Sequence, residues 1–424
     1  MASILVTDIQ QLVNTRTGSE PLRGKALSEL PSVSHAYLLI EDDEIAGYGP
    51  MSELPPAGSR PAEMIRAAGQ LVLPCWCDAH THLVFAGSRE GEFVDKIRGL
   101  SYAEINARGG GILNSARTLR ETSPDDLFNQ AWSRLQELNR LGTGALEIKS
   151  GYGLTVESEL KILRVIRKLR EKSGIPIRST FLAAHSYPPE FRENHQGYID
   201  LIIREMLPAV AGEKLADYID VFCEKGFFSP EETETICRAG MQYGLKPRLH
   251  VNQLHSIGGI ETGIRLQAVS LDHLEILNEE DIRRLSNLQA AGRGEGNWKG
   301  LCTLLPTAAF FLRMPLQPAR KLIDAGCAVV LASDYNPGSS PSGNMNLVVA
   351  MSCIQMQMLP EEAINAATLN GAHALEWGDK LGSVAPGKKA NLIFTKPVPS
   401  VAFLPYAFGS NLIEKVMING RFLS

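Results

Sequence analysis

Eight short apolar runs, separated by segments with helical periodicity, set the strongest limit on what this chain can fold into. They are LVLPCWCDAH (71–80), GALEIKS (144–150), IRSTFLAAH (177–185), YIDVFCEKG (218–226), KPRLHV (246–251), AVSLDHL (268–274), LCTLLP (301–306) and CAVVLASD (327–334). Continuous apolar runs of this kind belong in a parallel sheet covered by helices. Between them, residues 156–174 place Leu160, Leu163, Ile166 and Leu169 at helical spacing and end in basic residues and Gly174. Residues 229–244 open with Ser229 and Pro230, a cap and a first-turn proline. Eight βα units are the number that closes a (β/α)8 TIM-type barrel, an α/β fold whose chemistry sits at the C-terminal ends of the strands.

The strand ends are where the polar residues fall. His80 and His82 end run one, His185 run three, His250 run five, His273 run six and Asp334 run eight. Five of the nine histidines therefore occupy strand C-termini, while His35, His195, His255 and His373 are scattered. One residue apart on an extended segment, His80 and His82 point to the same side. Three imidazoles and one carboxylate (His80, His82, His250, Asp334) suit one divalent metal such as zinc or ferrous iron, the latter also in its oxidised ferric form. Asp334 can also accept a hydrogen bond from a water on that metal, and His273 is close enough by strand order to carry a proton or polarise a carbonyl.

The two ends of the chain read differently. Residues 36–49 form strand–turn–strand around EDDE, and the C-terminal stretch repeats the pattern, with Asn419–Gly420 as a turn signal. The expected division is a small β-sandwich domain from 1–69 and 383–424, with the barrel at 70–382 inserted. The Gly-rich 292–300 segment reads as a flexible surface loop.

Composition narrows the function classes. The formal charge of −5 gives no reason to expect nucleic acid or an anionic membrane as partner. No apolar run approaches the ~18 residues of a membrane span, and the first residues lack the basic start of a signal peptide. The seven cysteines are odd in number and scattered in apolar contexts, which points to a reducing, cytoplasmic setting. Cys75 and Cys77 read as packing residues within their strand.

DAHTHLVFAGSRE, EIKSGYGL, LAAHSYPPE and ASDYNPGSSPSGN resemble the amidohydrolase superfamily and, within it, the imidazolonepropionase family. The resemblance spans nearly the whole chain, including GGGIL (109–113), PGKKANLIF and VMINGR. It implies a small-molecule substrate, 4-imidazolone-5-propanoate, whose ring opens to N-formimidoyl-L-glutamate when a metal-bound hydroxide attacks the ring carbonyl. It implies that His80, His82, His250 and Asp334 ligate the metal and that Arg89 pairs with the propionate. It implies substrate contacts for Tyr102, Tyr152, His185, Asn336, Gly338 and Ser339, and a homodimer. One departure stands out: where the family often has H-x-D-E after strand five, this chain has Asn252 and Gln253. An amide is no acid or base near neutral pH, so Gln253 is expected to hydrogen-bond substrate or water, with proton transfer left to His273 and Asp334. Rival readings are a guanine- or cytosine-type deaminase, a binuclear ring hydrolase needing a strand-four lysine, and a non-catalytic barrel relative.

Overall fold

The computed structural model describes residues 3–18, 20–100, 104, 110–290 and 298–423. Tyr102, Gly109 and residues 292–297 lie outside the described residues. Two eight-stranded sheets organise the chain. The barrel sheet is parallel and runs in sequence order: Trp76–Asp78, Thr143–Lys149, Ile177–Ala184, Tyr218–Cys223, Lys246–Val251, Ser270–His273, Leu301–Leu304 and Val329–Leu331, here called strands one to eight.

Strands one and eight meet through the segments just beyond them. Thr81 and Tyr335 form a parallel bridge. The Asp334 N–H donates to the His80 carbonyl at 3.0 Å and the His82 N–H to the Tyr335 carbonyl at 2.9 Å. Below this seam the buried Asp78 carboxylate accepts from the Ser333 N–H at 3.0 Å and its hydroxyl at 2.5 Å.

The helix signals hold. Val156–Ser173 is capped by the Thr155 side chain and ends at Gly174 in the left-handed region, and its leucine–isoleucine stripe is buried. Pro230–Gln242 starts with a reciprocal capping box between Ser229 and Glu232.

One run is divided. Residues 71–80 do not form a single barrel strand. Leu71–Pro74 lies in the other sheet, antiparallel to Leu392–Thr395 and parallel to Ser3–Val13. Successive N–H groups of an extended chain point to opposite sides, and here they point to different sheets. Cys75 N–H donates to Asn391 O at 3.0 Å, and Trp76 N–H to Gly142 O at 2.9 Å. The period of apolar residues is the same on both sides of that switch, so the sequence pattern does not reveal it.

The second sheet joins both ends of the chain in the order Arg421–Phe422, Ile413–Ile418, Leu392–Thr395, Leu71–Pro74, Ser3–Val13, Ser32–Glu41 and Glu44–Pro50. Glu63–Arg66 also pairs with Ser3–Val13. Leu12, Val72, Leu392, Phe394 and Met417 are among its buried apolar side chains. All seven cysteines are free, and Cys75 and Cys77 are buried. Trp298 is buried, and its indole N–H donates to Ala268 O at 2.6 Å, so this end of the 292–300 segment is packed rather than a surface loop. Among the described residues no helix is long and apolar enough to cross a membrane.

Replacing Asp78 with alanine would strand the Ser333 N–H and hydroxyl in the interior. The expected loss is about 2–3 kcal/mol, read as a lower urea midpoint at unchanged slope. An unchanged midpoint would remove Asp78 from barrel closure.

Candidate active site and metal centre

The strand ends converge on one cavity of about 280 Å3. His82, Arg89, Tyr152, His185, His250, Gln253, His273, Asp334, Asn336, Gly338 and Ser339 all line it. His80 sits behind them, fully buried.

His80 Nε2 and His82 Nε2 each lie 3.5 Å from Asp334 Oδ1, and His82 Nε2 lies 3.4 Å from His250 Nε2. Donor atoms about 2.0–2.1 Å from one tetrahedral zinc ion stand roughly 3.3–3.4 Å apart. The buried His80 Nε2 has no hydrogen-bond partner, which a metal would supply. Burial, reinforced by Lys149 and by the neighbouring imidazoles, holds the pKa values of His80, His82 and His250 well below the ordinary histidine range, so the rings are neutral, the state in which an imidazole can ligate a metal. Their tautomers are set from behind: Asp272 Oδ2 takes His80 Nδ1 at 2.7 Å, and Asp220 Oδ2 takes His250 Nδ1 at 2.9 Å. The donor set fits a divalent metal.

Burial also pushes the Asp334 carboxyl up to about 7, against the pull of His273. The opposite balance holds at His273. Burial disfavours its charge, but Glu275, with Asp334 and Asp272, more than offsets this and raises its pKa. Glu275 Oε1 lies 3.2 Å from His273 Nδ1 and is itself held by Gln317 at 2.9 Å. Asn252, His273 and Asp334 all have positive φ, at 54°, 86° and 53°. The chain thus turns sharply as it leaves strands five, six and eight.

Each remaining group has its own support. The Glu159 carboxylate accepts from the N–H groups of Gly151 (3.1 Å), Gly153 (2.7 Å) and Leu154 (2.9 Å), which fixes the turn carrying Tyr152. Gly151 has φ +108°, and a Cβ there would come 2.8 Å from His185 Nδ1. His185 Nδ1 donates to Gly151 O at 3.2 Å, and its ring stacks on His82 with centroids 5.1 Å apart. Burial pushes the pKa of His185 down to about 4.

Arg89 spends its Nε and Nη2 on Glu92 Oε2, at 2.9 and 2.6 Å. Its Nη1 lies against Gly338, where any Cβ would overlap it. Lys96 adds a second cation to the cavity wall and donates to Gly338 O at 3.1 Å. Asn336 folds onto its own loop: its Oδ1 accepts from the N–H groups of Gly338 and Ser339, each at 2.8 Å. The Ser339 hydroxyl reaches Asp334 Oδ2 at 3.2 Å. Gln253 faces the cavity, whereas Asn252 turns its amide to Ile276 O at 2.9 Å. Glu224, at the end of strand four, is occupied by Leu254 N–H (2.8 Å), His255 N–H (3.1 Å) and His255 Nδ1 (2.9 Å).

Sequence reasoning missed Lys96, Glu92, Glu159, Asp220, Asp272 and Glu275. Asp220 and Asp272 did leave a signal, a lone carboxylate inside an apolar strand. Lys96 left none, being one cation among several on a polar helix.

The model of the amidohydrolase family matches residues 232–423. The imidazolonepropionase of Flavobacterium johnsoniae is 54% identical over 99% of both chains. That of Geobacillus sp. is 40% identical over 99% of this chain and 98% of its own. Among solved structures, a variant of atrazine chlorohydrolase from Arthrobacter aurescens TC1, complexed with zinc and atraton, superposes with a TM-score of 0.72. It is 15% identical and is covered over 95% of its length, with 99% of this chain aligned. Guanine deaminase of E. coli gives 0.69 at 16% identity, with 100% and 99% covered. At such identities these structures speak for the shared fold alone. Near-full-length identity to its relatives makes the chain a member of the imidazolonepropionase family of amidohydrolases.

Proposed function

We propose that the protein hydrolyses 4-imidazolone-5-propanoate to N-formimidoyl-L-glutamate, a step of histidine degradation. The observation that carries this reading is a single cavity lined by His82, His250, Asp334 and the Arg89 guanidinium, with His80 directly behind. A cyclic amide with an acidic tail needs both at once.

His80, His82, His250 and Asp334 would hold the metal, zinc or iron. When bound, the ion acidifies a water and draws electron density from the ring carbonyl. Asp334 accepts a proton from the attacking water and delivers it to the departing ring nitrogen. The hydroxyl adds to the carbonyl carbon and the C–N bond breaks, leaving a carboxylic acid whose remaining proton passes to the basic amidine just released. His273, its Nδ1 committed to Glu275, offers Nε2 to the carbonyl oxygen. Arg89 takes the propionate, Tyr152 and His185 wall the ring, and Gln253 hydrogen-bonds ring or water. Asn336, Gly338 and Ser339 shape the loop against which Arg89 rests, and Tyr102 keeps its proposed substrate contact.

The deaminase reading is weaker, because Gln253 replaces the glutamate such enzymes use. The binuclear reading needs a lysine on strand four, where Glu224 is instead tied to the next loop. A non-catalytic role does not explain an intact ligand set. The cavity lies wholly within the proposed barrel unit, 70–382, apart from the proposed terminal unit of 1–69 and 383–424. A cytoplasmic homodimer goes with this reading. Free cysteines support the compartment, and the exposed Ile354, Tyr406 and Phe408 offer apolar surface for a second copy.

The direct test follows loss of the substrate's ultraviolet absorbance, with metal content measured on the same sample and spontaneous decay subtracted. Activity that disappears on chelation and returns with zinc or iron is expected. Absence of turnover by metal-loaded protein would overturn the substrate assignment. His273→Ala should lower kcat by about 10²–10⁴-fold and Gln253→Ala far less; equal losses would reject the role given to His273. Arg89→Ala should raise KM by roughly 10–100-fold, the worth of a charge-assisted bond. Gly338→Ala should mimic it, since the new Cβ displaces the guanidinium. Normal KM in both would put the propionate elsewhere.

A further inference from the structure

Beneath the ligating histidines lies a layer of buried charge that the proposed chemistry does not use. Strand two turns Glu147 and Lys149 inward, strand four Asp220, strand five Arg248 and strand six Asp272, all with fully buried side chains. Taking an ion out of water costs several kcal/mol even after relaxation, and apolar residues commonly fill such layers at no loss. Stability alone is a poor reason for these charges.

The contacts suggest a better one. Lys149 Nζ lies 2.8 Å from Glu147 Oε1, 2.8 Å from Asp220 Oδ2 and 3.6 Å from Asp272 Oδ2. Those two aspartate oxygens are the same atoms that take His250 Nδ1 and His80 Nδ1. One ammonium therefore stands behind both aspartate–histidine pairs. Arg248 cannot substitute. Its guanidinium is 3.7 Å from Asp272 and 3.6 Å from Glu147, and its hydrogen bonds go to the carbonyls of Ala79 (2.8 Å) and Ala374 (3.0 Å). Among the described residues, Lys149 alone ion-pairs with both aspartates.

We propose that Lys149 is a positioning residue for the metal centre. It holds Asp220 and Asp272 at a fixed separation and so aims His80 and His250 at a common point. This rests on the metal reading of the His3Asp cluster, not on the identity of the substrate. Glu147 anchors the ammonium from its third side.

The test compares the wild-type chain, Lys149→Met, and Lys149→Met combined with Glu147→Gln. The double variant removes one charge of each sign, so the layer keeps its net charge and the fold is protected. Each protein is stripped and reloaded with cobalt(II). Affinity is measured by chelator competition and ligand geometry by visible d–d absorption. The single variant should lose affinity by about 10–100-fold, as for other outer partners of metal ligands, with altered absorption bands. The double variant should recover melting temperature but not affinity or spectrum. Wild-type affinity and spectrum in the double variant would reduce Lys149 to charge balance and overturn the proposal. A wild-type protein that takes up no cobalt would overturn the metal reading itself, and this proposal with it.

Discussion

Everything in this protein hangs on the seam between the first and last barrel strands. Neither strand is long: Trp76–Asp78 and Val329–Leu331 have three residues each. Closure is made beyond them, by two backbone hydrogen bonds between residues 80–82 and 334–335 and by Asp78 gripping Ser333. The same residues carry three of the four proposed metal donors. Shutting the barrel and assembling the site are one event, so His80, His82 and Asp334 reach their separations only when the sheet is complete.

Around that seam the chain accepts local strain and buried charge in return for orientation. Non-glycine residues in the left-handed region cost of order 1–3 kcal/mol each and persist where the surroundings fix them. At Asp334 the fixing is visible, in an Asn336–Ser339 turn closed by its own side chains. At His273 it is the Glu275–Gln317 pair. In the cavity wall, Arg89 is held by Glu92 before any substrate arrives. The side chain is therefore already ordered, and little of its freedom remains to be lost on binding.

Much of this was legible in the sequence, and the reasons are physical. Apolar runs of strand length, separated by helical spacing, can bury themselves in few ways, so the barrel followed. Imidazoles repeated at strand ends have few explanations besides a metal. What escaped was whatever depends on partners distant in sequence. The switch of residues 71–78 between sheets is decided by Asn391 and Gly142, which no local pattern announces. Glu159 reads as an ordinary helix residue until its carboxylate is seen cradling the Tyr152 turn. Gly338 reads as turn chemistry, yet its missing side chain is what admits Arg89.

The split run at 71–78 also bears on how the chain is made. Leu71–Pro74 waits for Leu392–Thr395, and strand one waits for the strand-eight segment, so both stay one-sided through most of synthesis. At about 5–20 residues per second, the first of these waits lasts roughly 15–60 s. A long apolar edge left bare for that time would recruit other nascent chains. Here the exposed ladder is interrupted at Pro74, which has no N–H to offer, and strand one adds only three residues beyond it. The brevity that makes the finished seam depend on hydrogen bonds past the strands is, on the ribosome, a defence against aggregation.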